Sequence, residues 1–129
     1  MISYHKIYGW IPVVLWMCLI FWFSSRPAMH TSQIYWQDFI VKKTAHFIEY
    51  FILAVLIFRA LKQSTEYSRV VLILLTLLVT VVYASTDEYH QSLVPGREPR
   101  YRDVAIDSLG VVTASVLISL RKLDILIDL

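Results

Sequence analysis

Four apolar runs leave this chain few folds to choose from. They lie at 7–23, 44–61, 69–86 and 104–120, and each is nearly unbroken in aliphatic and aromatic residues. A helix that crosses the hydrocarbon core of a bilayer needs about 20 such residues, within a range of roughly 17 to 25. The last three runs carry aliphatic residues on every helical face, as helices surrounded by lipid or by other helices do. Of 129 residues, 57% are hydrophobic and 17% charged, too few polar side chains to coat a water-soluble domain of this size. The chain therefore reads as all-α: an integral membrane bundle of four transmembrane helices, with residues 1–129 forming one domain.

Pro12 lies inside the first run, where a membrane helix tolerates it as a kink. The run is long for the apolar part of a secretory signal, is rich in Trp and Phe, and precedes no small-x-small cleavage pattern, so it reads as a retained helix. The connector at 24–43 is the longest and has room for a short amphipathic piece at 31–41. The connector at 62–68 is short and polar, and Val94-Pro95-Gly96 marks a turn. Four spans put both termini on one side. Lys6, Arg59, Lys62, Arg69, Arg121 and Lys122 on that side face Arg26, Lys42, Lys43, Arg97, Arg100 and Arg102 on the other. The second set is mixed with acids and the first plainly flanks its spans. The positive-inside rule then places both termini in the cytoplasm and the polar cluster on the outer face. The basic residues flank spans and line no soluble face, which argues against a nucleic-acid partner. The lone Cys18 allows no intrachain disulfide and reads as a small core or lipid-facing residue.

Ionisable residues gather where the runs meet their connectors, above all at 84–107. Lys43, His46 and Tyr50, three and four residues apart, share one helix face, and Glu49 leans to the same side. That face descends about 10 Å into the membrane at 1.5 Å per residue. Tyr83, Asp87 and His90 or Gln91 follow the same spacing in the third run, with Glu88 pointing elsewhere. Asp103, Asp107 and Gly110 do so in the fourth, and a glycine there lets another helix approach closely. Arg97, Arg100 and Arg102 fill the loop between. Ionisable groups at the mouth of a membrane bundle read by default as a functional site.

Several chemistries suit this set. His46, Glu49, Asp87 and His90 are of the types that bind a divalent metal such as zinc or manganese. The same four could instead do acid–base work as His–carboxylate pairs. Lys43, Arg97 and Arg100 would hold an anionic headgroup, with Tyr50, Gln91, Asp103 and Asp107 as further binding residues. A purely structural reading also stands. Lys43 would pair with Asp87 or Arg97 with Asp107, Asp103 would suit a helix N-terminus, and long basic side chains would reach to the interface. There is no Ser-His-Asp order and no glycine-rich phosphate loop, and Ser85 and Thr86 read as helix hydroxyls. A transporter fits less well, because the charges cluster at one end and line no midplane path.

The motifs FSSRP at 23–27, KxxHFxEY at 43–50, DExHQxxxPGR at 87–97 and DxxxDxxG at 103–110 resemble those of the VanZ-like family of small bacterial membrane proteins. Asp107 falls where Asn would be as natural, and it adds a carboxylate to the site. Members of that family are known for low-level teicoplanin resistance. The resemblance implies a cell-envelope protein of the bacterial cytoplasmic membrane. Its outward-facing site would bind or process an amphiphile: a lipoglycopeptide antibiotic, or a membrane lipid or lipid-linked envelope precursor. The resemblance supplies no reaction. The alternative is a non-enzymatic binding or assembly factor whose polar cluster is an ion-pair network.

Overall fold

The computed structural model describes residues 7–27, 35–96 and 101–129. It is all-helical, with no strand among the described residues. The helices are α1 (Ile11–Ser24), α2 (Tyr35–Ser64), α3 (Arg69–Ser92), α4 (Tyr101–Ser119) and α5 (Asp124–Asp128). Helices α1 to α4 alternate in direction, so the ends of α1 and α3 meet the first halves of α2 and α4 at one end of the bundle. Two segments, Phe39–Ser64 and Arg69–Ser92, are long and apolar enough to cross a membrane.

The helix limits differ from the apolar runs in instructive ways. A turn at Gly9 and Trp10 precedes α1, and Pro12 becomes its second residue instead of a kink. A helix running through from residue 7 would press the proline ring on the carbonyl of Tyr8, whereas in the first turn a missing N–H costs nothing. Helix α2 is continuous from Tyr35, so residues 35–43, expected as connector and amphipathic piece, belong to it, while 28–34 lie outside the described residues. No Gly or Pro interrupts residues 35–64. Helix α3 runs on to Ser92 and ends before Pro95 and Gly96, the latter at φ 80°. Asp87, Glu88, His90 and Gln91 therefore sit on regular helix. Helix α4 begins at Tyr101, which puts Asp103 in its first turn. The short α5 was not expected.

The core follows the 3.6-residue period. Tyr50, Leu53, Ala54, Ile57 and Phe58 of α2 are fully buried against Val13 and Ile20 of α1, Ala84 of α3, and Val111, Ala114 and Ile118 of α4. The α2–α4 seam is the closest, and Gly110 sets it. A Cβ at this position would overlap the carbonyl oxygen of Phe47 and crowd the amide of Phe51 at 3.2 Å. Small residues that let backbones meet are the usual means of helix association in lipid. Helix α1 is held by two side-chain hydrogen bonds to mid-helix carbonyls. Trp16 Nε1 donates to the oxygen of Glu49 at 2.9 Å, and Tyr83 Oη donates to that of Met17 at 2.7 Å.

The end away from the motifs is tied by Arg69, the first residue of α3. Its guanidinium donates to the carbonyl of Ile118, pairs with Asp124 and lies 5.6 Å from the Phe58 ring. It thus joins α2, α3, α4 and α5, and satisfies one of the carbonyls left over at the end of α4. The chain turns there through a Schellman motif, with Arg121 N–H donating to Ile118 and Lys122 N–H to Leu117. Arg121 takes a positive φ of 59° to do so.

Two outcomes follow. Gly110→Ala lowers stability by about 1–3 kcal/mol, the usual cost of overpacking, seen as a reduced thermal midpoint in detergent. Arg121→Gly raises that midpoint, because the left-handed conformation costs a residue with a Cβ about 1 kcal/mol.

Candidate functional site

The carboxylate of Asp87 is the centre of the polar end. It is 3% exposed, and its Oδ2 accepts three hydrogen bonds: from Ser24 Oγ of α1 at 2.9 Å, Tyr50 Oη of α2 at 3.1 Å and Gln91 Nε2 of α3 at 2.8 Å. Gln91 also donates to Ser24 Oγ at 3.2 Å. Gln91 follows Asp87 by four residues and so stands on the same face. Tyr50 is fully buried, and Ser24, the last residue of α1, is 1% exposed. Buried charge is tolerated when hydrogen bonds replace the lost water, and here donors from three helices do so.

A second group surrounds His46, further toward the rim. Its Nδ1 lies 3.7 Å from Glu49 Oε2 and 3.9 Å from Asp107 Oδ1. Those distances are within ion-pair range but longer than a direct hydrogen bond. The His46 side chain is 16% exposed and that of Asp107 2%. Lys43 Nζ forms an ion pair with Asp103 Oδ2 at 2.8 Å, linking α2 to α4. This replaces the Lys43–Asp87 pair expected from sequence: spacing gives the face of a helix but not its register against a neighbour, and Asp103 is the acid that α4 brings to Lys43. The His46 and Tyr50 rings stack at 6.5 Å, which connects the two groups.

His90 stands apart from both. Its Nε2 is 2.9 Å from Ser25 Oγ, and its ring stacks on Phe21 at 4.3 Å. Ser25 Oγ donates its one proton to the carbonyl of Phe21 at 2.7 Å, so His90 Nε2 is the donor in their contact. Glu88, expected to leave the face of Asp87, is 9% exposed. Arg97 and Arg100 lie outside the described residues. Among the described residues no group of three His, Cys, Asp or Glu side chains is placed to hold a metal ion.

Ser24 and Ser25 are the functional neighbours that sequence reasoning passed over. The signal was there, as two hydroxyls directly after an apolar run, but only contact across the bundle shows their partners. Tyr50→Phe removes a hydrogen bond to a charged group and costs about 1.5–3 kcal/mol. Asp87→Ala strands three donors and costs more. In a Tyr50→Phe/Asp87→Asn cycle the losses are not additive, measured by unfolding titrations in detergent.

A family model described as VanZ/LLP1 matches residues 9–122. No curated protein and no solved structure matches the chain. The matched span takes in α1 to α4 and the whole polar end just described, and with it the sequence and the fold point the same way: the chain belongs to the VanZ/LLP1 family.

Proposed function

We propose that the chain crosses the bacterial cytoplasmic membrane four times, with both termini in the cytoplasm. Its polar end faces the outer leaflet and binds or processes an amphiphile there, a lipoglycopeptide antibiotic or a lipid-linked envelope precursor. The observation that carries this reading is His46, held between the carboxylates of Glu49 and Asp107 and still partly exposed. A half-buried imidazole between two acids can accept, hold or pass a proton at a headgroup. The outer surface supports it as well. Val14, Leu15 and Trp22 of α1, Leu74, Leu78 and Val82 of α3, and Leu109, Val112 and Val116 of α4 are exposed apolar side chains, a surface suited to lipid. An amphiphile with its tail along such a surface brings its headgroup to the polar end.

The rival reading, a structural ion-pair network in a binding or assembly factor, draws on a different observation. Donors from three helices meet on one oxygen of Asp87, as in a structural tie. The two readings divide the site, with a buried lock at Asp87 and a working rim at His46.

The test is titration of the full chain in nanodiscs with teicoplanin and with a glycopeptide that lacks the acyl tail. The acylated compound binds saturably and the other does not, and His46→Ala weakens binding at least tenfold while the protein stays folded. If His46→Ala instead loses folded protein, as Asp87→Ala does, the rim is part of the lock and the structural reading wins.

A further inference from the structure

Three carboxylate oxygens of the polar end stand out among the described residues. Oδ1 of Asp87, of Asp103 and of Asp107 are all buried, and none accepts a hydrogen bond from a described residue, His46 Nδ1 staying 3.9 Å from that of Asp107. Asp87 and Asp107 are 3% and 2% exposed, so bulk water does not replace the missing donors. An acceptor left in that state is costly, and more so when charged.

These oxygens share one neighbourhood. Asp107 lies within electrostatic reach of Lys43, Asp87, Glu88 and Asp103, and its Oδ1 faces His46 Nδ1. Lys43, which sequence reasoning assigned to an anionic headgroup, is instead engaged by Asp103 Oδ2. An anion brought here would meet buried carboxylates and a lysine already neutralised.

We infer that the headgroup this site takes is a protonated primary amine, whose N–H groups donate to unsatisfied carboxylate oxygens of this cluster, that of Asp107 first among them. This rests on the reading of the polar end as an amphiphile site and reverses the charge expected of its ligand. A primary ammonium carries three donors and no acceptor, so it suits oxygens that lack donors, which a trimethylated head cannot supply. The Lys43–Asp103 pair then fixes one wall of the site, and Tyr50, Ser24 and Gln91 hold Asp87 through its other oxygen. Asp107, buried and within reach of His46, is the principal anchor.

The experiment is calorimetric titration of the full chain in zwitterionic nanodiscs, with empty nanodiscs as baseline. The probes are dodecylamine, dodecyltrimethylammonium and dodecyl phosphate, which share a tail and differ in headgroup. Dodecylamine binds saturably, at least tenfold more tightly than the trimethylated probe, which has the charge without the donors. Dodecyl phosphate shows no saturable binding. Asp107→Asn weakens the amine at least tenfold, and the more accessible Asp103→Asn weakens it as well. The headgroup comparison needs no variant, so it decides the matter even if Asp107→Asn fails to fold. Equal binding of the amine and its trimethylated counterpart overturns the inference, as does amine binding that both Asn variants leave unchanged. Amine binding that emerges only when Arg97 and Arg100 are both replaced by Gln overturns it too, because the chain's own guanidinium groups would then be the donors. Preference for the phosphate overturns it but leaves the amphiphile site standing. Absence of binding by all three probes overturns it, and the teicoplanin titration in the same nanodiscs then decides separately whether the underlying reading falls.

Discussion

One carboxylate oxygen, Oδ2 of Asp87, organises the polar end of the bundle. A charge taken out of water in a largely apolar protein requires replacement for its hydration, and the donors come from α1, α2 and α3. Each donor fixes a different element: Ser24 the end of α1, Tyr50 the register of α2, and Gln91 the face of α3. The rim is positioned through α2, since Lys43 and His46 precede Tyr50 on the same helix face. Removing one partner of such a set leaves the others buried and unpaired, which is costly.

The two ends of the bundle solve the same problem with opposite charges. One end gathers donors around an acid. The other gathers acceptors around Arg69, which holds a helix-terminal carbonyl and Asp124. Between them lie apolar contacts and the glycine seam of α2 and α4. In lipid, apolar side chains gain little by meeting each other in place of acyl chains, so close packing and polar ties carry more of the association. The Lys62–Asp128 pair is well exposed and adds little by comparison.

Much of this was legible in the sequence. The apolar runs located the four long helices, and helical spacing placed Lys43, His46 and Tyr50 on one face and Asp87 with Gln91 on another. Gly110 was recognised as a point of close approach. Helix limits were less legible, because hydropathy reports what surrounds a helix and not where its backbone hydrogen bonds stop. Thus α3 continues past Thr86 through six more residues, to Ser92. Partners across the bundle were not legible either. Ser24 with Asp87 is separated by 63 residues and Ser25 with His90 by 65, and spacing within one helix carries no register between two. The tie from Arg69 to α5 is hidden for the same reason.

The two bonds that hold α1 in mid-bundle go to backbone oxygens, not to side chains. A carbonyl is present whatever residue supplies it, and it has a second lone pair beyond the one its helix uses. These two bonds are therefore indifferent to the side chains at positions 17 and 49. For Glu49 this separates two duties, since its carbonyl anchors a neighbouring helix and its carboxylate stands beside His46. A substitution of that acid would change the rim and leave this bond to the wall behind it in place.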